Sequence, residues 1–398
     1  MGIKSLADDQ IKIEKIKLKG ICHFAGRAAG QAPYQQVAPI SMRRALSQAK
    51  NPYGRPDDIA LLVAFSAHRC VGYHGLLPGL LSQGDRLNRV HWATAFFVAP
   101  EFRGRKIGKR LLAEIQNLKI DFIVPQMTAS AERAYRNSGY KDIGRLIYFQ
   151  LRADRLDIAA TRFGTADRFP GEKSRRPKPL IAGLKRMQRA IYRAAKNMFY
   201  RTAIKNQRHL EHRFAWKEVD RIDGSCWGLR AADSNRSSFF RGVEAVNWML
   251  QNPWVVSKKA GEKKTENYYF SETREIFKYV AVEIYRHKDP KPAGFMVMSV
   301  SYKKEKTRIK LLDFYLPNAE APEMVGYPLL KYAKQLLADR IEYPDDLAQY
   351  FQSLPWTHKL IKRQTRLYLF HPATNDSPLA VSRGKILFDY CDGDTTFT

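Results

Sequence analysis

The chain has 398 residues, 44% hydrophobic and 12% aromatic, which excludes a disordered polymer and is enough for two domains of ordinary size. Its formal charge of +29 asks for an anionic partner: a membrane surface, a nucleic acid, an acidic polysaccharide or a phosphate-rich cofactor. Cys22, Cys70, Cys226 and Cys391 lie far apart without a CxxC pair, so no zinc module, metal site or disulfide framework is expected, and a reducing cytosol is the default. No apolar core of signal-peptide length follows the opening MGIKSL, and Leu6 stands where myristoylation needs Ser or Thr. Runs such as Ile59–Phe65 are far shorter than the roughly 18 residues that cross a bilayer. The expectation is a cytoplasmic protein, soluble or peripheral at the inner face of the membrane.

In chain order, residues 1–155 alternate strand and helix patterns, which predicts an α/β or α+β domain. Ile11–Cys22 reads as a strand and Met42–Ala49 as a helix ending at the turn cluster Asn51-Pro52-Tyr53-Gly54. Ala60–Ser66 and Cys70–Leu76 read as strands joined at His68-Arg69. A strand His91–Val98, a helix Lys106–Leu118, a strand Ile120–Val124, a helix Ala131–Ser138 and a strand Leu146–Leu151 follow. Residues 156–224 form a basic helical linker. From Lys173 to Arg208 there are twelve Lys or Arg and no Asp or Glu. Leu180, Leu184, Met187, Ile191, Ala195 and Met198 recur there at spacings of three and four, with Lys185, Arg186, Arg189, Arg193 and Lys196 on the other faces and Pro177 and Pro179 at the start. Such a helix either packs its apolar stripe or lays it on an anionic bilayer through residues 180–201. Residues 225–398 return to globular composition, with strands at Tyr279–Tyr285, Ala293–Ser301, Arg308–Leu316 and Arg366–Phe370 and a helix at Tyr327–Ala338. An Asn-Pro pair precedes a strand pair in both halves (Asn51-Pro52 and Asn252-Pro253), and the matching order of elements suggests a duplicated fold.

The densest chemistry lies in Phe96–Leu112, FFVAPEFRGRKIGKRLL. Pro100 ends the strand by removing a ladder donor. Gly104 and Gly108 permit close backbone approach, and Arg103, Arg105, Lys106, Lys109 and Arg110 add positive charge. Ile107, Leu111, Leu112, Ile115 and Leu118 supply the stripe that anchors the following helix. Free N–H groups at a helix start, helix dipole and fixed cations together make an anion site suited to a pyrophosphate. Further on, Ser130 suits an N-cap and Gly139 a C′ position around a helix that carries Tyr135.

These segments resemble the acyl-CoA-binding half of GNAT-type N-acyltransferases. The turn follows the pattern Arg/Gln-x-x-Gly-x-Gly/Ala, with Arg103 and Gly108 at its ends and Lys106 replacing the first glycine; Ala131–Tyr140 follows A-x-x-x-Y-x-x-x-G-[FY]. The resemblance implies that Phe97 and Val98 offer backbone groups to the pantetheine arm. It implies that Arg103, Gly104, Arg105, Lys106, Ile107, Gly108 and Lys109 hold the pyrophosphate of acetyl-CoA or a longer acyl-CoA. It also implies that Tyr135 protonates the departing thiolate. The strand HWATAFFV carries no carboxylate to act as base. His91, on that strand, and His74, on the preceding one, are the candidates. Either is equally readable as a structural histidine.

Through the tandem order, the Asn-Pro turns, the Asn247-Trp248 pair and the closing Asp392-Gly393-Asp394, most of the chain resembles bacterial tandem-GNAT proteins of cell-envelope or exopolysaccharide synthesis. That implies two GNAT-like domains, each a mixed, mostly antiparallel sheet flanked by helices, joined by the basic linker, and an amine acceptor such as an amino sugar or envelope precursor. The second domain lacks a cofactor turn: Pro317-Asn318-Ala319-Glu320-Ala321-Pro322-Glu323 is acidic and unsuited to a pyrophosphate. Asp313, in an apolar strand, reads as a paired structural acid or a substrate-binding one, and the closing Asp389–Asp394 cluster as a solvated turn. Two other functions stay open: a Fem-type aminoacyl-tRNA-dependent transferase, which the charge would suit, and a non-catalytic CoA-binding protein at a membrane surface.

Overall fold

The computed structural model describes residues 11–29, 31–156, 179–205, 207–226, 237–258, 267–270, 272–315, 322–355 and 357–393. In chain order the described elements begin with β1 (Lys12–Lys17), α1 (Ile21–Ala28), α2 (Met42–Ala49), β2 (Ile59–Ser66), β3 (Arg69–Gln83), β4 (Arg86–Val98), α3 (Ile107–Asn117), β5 (Phe122–Val124), α4 (Ala129–Asn137) and β6 (Lys141–Arg152). They continue with α5 (Pro179–Lys205), β7 (Phe214–Val219), β8 (Ser237–Phe240), α6 (Val243–Gln251), β9 (Val256–Ser257), β10 (Thr273–Arg274), β11 (Ile276–Arg286), β12 (Pro292–Lys303), β13 (Lys306–Tyr315), α7 (Glu323–Gln335), β14 (Arg340–Pro344), α8 (Ala348–Ser353), β15 (Ile361–His371), α9 (Pro378–Val381) and β16 (Ile386–Leu387). The architecture is mixed α/β, with mostly antiparallel strands flanked by helices, as the alternating pattern implies. The expected strand Ile11–Cys22 is half that length: β1 stops at Lys17, a 3-10 turn follows, and Ile21 opens α1, whose Ile21, Phe24, Ala25 and Ala28 form one buried face. The acidic stretch 317–321 and Asp394 lie outside the described residues.

Two compact units divide the chain, and both are discontinuous. Unit 1 takes Met1–Leu146, Asp220–Ala281 and Thr365–Thr398; unit 2 takes Ile147–Val219 and Val282–Gln364. In unit 1 the strands run in the order β1-β2-β3-β4-β5-β15. β2, β3 and β4 are antiparallel neighbours, and β5 joins β4 in parallel after the α3 crossover. β2 is an almost unbroken apolar run because both its faces are covered. It turns into β3 through Ala67 and His68, both with positive φ (45° and 65°), the signature of a two-residue hairpin loop. β3 is long enough to pair first with β2 and then, at Leu80–Ser82, with β8. One apolar layer joins α1 and α2 to Leu61, Val63, Phe65 and Tyr73; the other joins α3 and α4 to Leu62, Ala64, Val71 and Leu76. The two Asn-Pro regions meet within this unit: the Ser47 hydroxyl donates to the Asn252 carbonyl at 2.8 Å, and the Trp248 indole donates to the Ser47 carbonyl at 2.8 Å.

Unit 2 repeats the order of elements. β11, β12 and β13 run as sheet neighbours, α7 follows, and β14 returns parallel to β13. The strand beyond the crossover is exchanged between the two halves of the sequence. β15 completes the unit 1 sheet on β5, and the second part of β6 completes the unit 2 sheet on β14. Asp313 is 5% exposed and its carboxylate accepts from the Phe314 N–H at 2.9 Å.

Helix α5 belongs to unit 2, where it packs on α7 with a different face from the one its apolar spacing predicts. Met187, Ile191 and Met198 are exposed at 55%, 57% and 69%, whereas Lys196 and Tyr200 are buried. The side chains of Leu180, Leu184 and Lys185 lie outside the described residues, as does Pro177. The reason for the inversion is Asp339. Its carboxylate receives the Lys196 ammonium at 2.9 Å, the Tyr192 hydroxyl at 2.5 Å and the Thr307 N–H at 2.7 Å, and Tyr200 donates to the adjacent Ala338 carbonyl at 2.8 Å. A lysine on a four-carbon stem and tyrosines with polar tips can be buried along a helix when their ends find partners. Replacing Lys196 by Met should cost about 3 kcal/mol of stability, because Asp339 is left buried without its counter-charge. Denaturant titration checks this; a loss below ~1 kcal/mol would show that the two remaining donors satisfy Asp339.

Candidate active site

β4 positions the site by leaving β5 early. The parallel ladder between them holds only His91–Phe122 and Trp92–Ile123, and β4 runs on to Val98 beyond the end of β5. Where it runs on, its pairing with β3 slips: Tyr73 faces Phe97, but Gly75 faces Thr94. Two residues, Ala95 and Phe96, therefore oppose the single residue His74, and Ala95 adopts φ +50°. This is a β-bulge, which turns side chains and backbone groups away from the regular pleat. Gly75 is required there, since a Cβ would lie 2.3 Å from the Thr94 hydroxyl. The stretch Ala93–Val98, including Phe97 and Val98, thus presents an edge on the β5 side.

Beyond Val98 the chain makes a 3-10 turn at Pro100–Phe102 and reaches α3 through Gly104 (φ +84°) and Lys106 (φ +59°). Lys106 is the N-terminal flanking residue of α3, in the left-handed region where the turn pattern has glycine. Its replacement of glycine is tolerated at the ~1–2 kcal/mol that a side chain costs in this conformation. The first-turn N–H groups of Ile107, Gly108 and Lys109 have no carbonyl to pair with inside the helix. Ile107 is buried and anchors the helix, while Arg103, Gly104, Arg105, Lys106 and Lys109 are exposed around its start. Arg103 Nε donates to the Val98 carbonyl at 3.3 Å, and the Arg105 guanidinium lies 5.0 Å from the centre of the Phe102 ring. Glu101, the one acid in the turn, is bound by Arg69 at 2.6 Å, and this hydrogen bond holds its carboxyl below the usual range.

Gly108 links the turn to the bulge. A Cβ on it would lie 3.2 Å from the Phe96 ring, and that ring stacks on His74 at 4.9 Å and approaches Tyr135 at 5.4 Å. His74 Nε2 and the Tyr135 hydroxyl are 2.6 Å apart, both buried. Helix α4 holds Tyr135 there, capped by Thr128, whose hydroxyl accepts from the Ala131 N–H at 3.3 Å, and closed by Gly139 at φ +85°. The cap is thus Thr128 and not Ser130, two residues away, which hydrogen-bonds the Thr128 hydroxyl at 3.1 Å. Complete burial pushes His74 down to about 4, so the ring is neutral.

His91 is placed differently. It lies where β4 is still paired with β5, four residues before the bulge, with its N–H donating to the Asp121 carbonyl at 2.8 Å. Burial pushes it down to about 4 as well, and among the described residues its Nδ1 has no hydrogen-bond partner. The structure therefore brings His74 and Tyr135 together and leaves His91 apart from that pair. Phe96 and Phe102 were not among the residues the sequence singled out; their position on either side of the strand end was the available signal. Among the described residues no cluster of His, Cys, Asp or Glu could hold a metal ion.

Residues 57–142, from the start of β2 to the start of β6, match the acetyltransferase (GNAT) domain family. The chain carries a GNAT-type acyltransferase domain. This domain contains the bulge, the turn, His74 and Tyr135. Among solved structures the chain is similar to a GCN5-related N-acetyltransferase from Anabaena variabilis at 13% identity, TM-score 0.44, over 92% of this chain and 73% of that one. A GCN5-related N-acetyltransferase from Kribbella flavida is similar at 13% identity, TM-score 0.43, over 96% and 75%. A tandem GNAT protein from the clavulanic acid biosynthesis pathway is similar at 11% identity, TM-score 0.45, over 92% and 99%. No curated protein matches the chain in sequence.

Because Lys106 pays for a left-handed backbone, Lys106→Gly should raise stability by up to about 1 kcal/mol. Denaturant titration checks this, and a fall in stability would show that the lysine side chain contributes more than its backbone strain costs.

Proposed function

We propose that this protein is an acyl-CoA-dependent N-acyltransferase that passes an acetyl or longer acyl group to a primary amine, on an amino sugar or envelope precursor. The observation that carries this reading is the continuity of three features in the GNAT domain. The free edge of β4, the open N-terminus of α3 and the buried Tyr135 follow one another through Phe96 and Gly108.

The donor set fits a CoA ester. Unpaired helix N–H groups, a left-handed Gly104 whose added Cβ would meet nothing within 4 Å, and four exposed cations (Arg103, Arg105, Lys106 and Lys109) suit a pyrophosphate. The edge at Phe97 and Val98 suits the amide-bearing arm, which can pair with a strand. The thioester supplies an activated carbonyl. Direct attack by the amine then needs a proton removed from nitrogen and a proton delivered to sulfur, and Tyr135 is the hydroxyl available for the second task.

Gly108→Glu puts a side chain against Phe96 and a carboxylate among the helix N–H groups. An acid in the first turn of a helix favours the helix itself, so the fold should survive. Acetyl-CoA affinity by calorimetry should fall at least a hundredfold; unchanged affinity, or no binding of any CoA ester by the unaltered protein, would reject the assignment.

A second element of the reading concerns α5. Its exposed Met187, Ile191 and Met198 share one face, flanked by exposed Arg186, Arg189, Arg193 and Arg201. An apolar stripe bordered by cations fits the interface of an anionic bilayer. No helix among the described residues is long and apolar enough to cross a membrane. Peripheral association predicts flotation with phosphatidylglycerol vesicles at low salt and its loss in Met187→Asp/Ile191→Asp; binding that survives both substitutions would assign the attraction to another surface.

A further inference from the structure

His74 and Tyr135 are 61 residues apart in sequence and joined by a hydrogen bond whose direction the structure fixes. His74 Nδ1 lies 2.9 Å from the Gly75 carbonyl oxygen. A carbonyl only accepts, so Nδ1 carries the hydrogen. In a neutral ring Nε2 then has a lone pair, and the Tyr135 hydroxyl, at 2.6 Å, must donate to it. The ring cannot turn away from this bond. Phe96 stacks on it at 4.9 Å, Phe122 meets its edge at 5.6 Å, and the residue has no exposed surface. The bulge is what seats it: the extra residue in β4 puts Phe96 over the imidazole.

This direction constrains the chemistry. The proton of Tyr135 points at His74. A phenol that donates its hydrogen still accepts through its oxygen, so Tyr135 can take a proton from elsewhere only as its own moves to Nε2. Given the acyl-transfer reading above, on which this inference rests, we propose that His74 and Tyr135 form a two-proton shuttle. As the amine nitrogen bonds to the thioester carbon, its proton passes to Tyr135 Oη and the Tyr135 proton passes to His74 Nε2. As the carbon–sulfur bond breaks and its electron pair leaves on sulfur, Tyr135 gives a proton to sulfur and recovers one from Nε2. The net change is N–C bond formation, C–S cleavage and transfer of one proton from nitrogen to sulfur, with both side chains restored. Tyr135 meets the reacting atoms; His74 acts through it, as a positioning and proton-holding residue. The pair supplies the base that the strand HWATAFFV lacks.

The test has two arms on the full-length protein. In the first, histidine side chains are observed by 15N NMR, with the His74 signal assigned from its loss in His74→Gln, and acetyl-CoA is added while calorimetry measures its binding. The expected result is an Nδ1-protonated ring with an unprotonated Nε2 whose resonance moves when acetyl-CoA binds. An Nε2-protonated ring, or binding without movement of Nε2, overturns the shuttle and leaves the acyltransferase reading standing. Absence of acetyl-CoA binding overturns both. In the second arm, thiol release is followed with the best acceptor from a panel of primary amines. Glutamine can accept the Tyr135 hydrogen bond but cannot hold the proton, so His74→Gln should lower kcat about a hundredfold with acetyl-CoA affinity unchanged. Its proton inventory in mixed H2O and D2O should change from curved to linear. A kcat within threefold of the unaltered protein, or an unchanged inventory, overturns the proposal.

Discussion

β4 parts from β5 after Trp92, and the arrangement of the candidate site in the GNAT domain depends on that parting. A paired strand has no backbone groups to spare. A strand that outruns its neighbour keeps the geometry of a sheet while exposing one row of donors and acceptors. The bulge at Ala95–Phe96 adds the second requirement by placing an aromatic ring over His74 and against the start of α3. A regular β4 fully paired with β5 would seal the edge and take Phe96 off the His74 ring.

The readable and unreadable parts of the site separate by distance along the chain. The turn from Pro100 to Lys109 is local: a proline, two glycines, a run of cations and an anchoring stripe follow one another, and each acts on its neighbours. The pairing of His74 with Tyr135 depends on how β3 and α4 meet across the sheet, and no spacing encodes that. His91 and His74 look alike in sequence, two histidines on adjacent strands; the fold distinguishes them by which end of β4 each lies beside. The sequence does not separate Thr128, which caps α4, from Ser130 for a simpler reason: the two have the same capping chemistry two residues apart.

Helix α5 shows how periodicity misleads. Met187, Ile191 and Met198 repeat with helical spacing, and so do Tyr192, Lys196 and Tyr200. Hydropathy selects the first set for burial. One buried carboxylate, Asp339, selects the second, because its lysine and tyrosine partners must come inside with it. The basic residues of α5 are then not one uniform surface: Lys196 is paired inside with Asp339, whereas Arg186, Arg189, Arg193 and Arg201 border an exposed apolar stripe.

The exchange of β6 and β15 couples the two ends of the chain in time. The unit 1 sheet is closed on β5 by a strand that begins at Ile361, and the unit 2 sheet is closed on β14 by a strand that begins at Lys141. During synthesis β5 therefore waits, with an open edge, until more than half the chain has followed it. An open strand edge is a template for unwanted pairing, and contacts this far apart close slowly. A fragment ending after β6 would keep the turn, Tyr135 and His74 but would have no strand to cover the outer edge of β5, so the stretch that holds the candidate site is not a stretch at whose ends this protein can be cut.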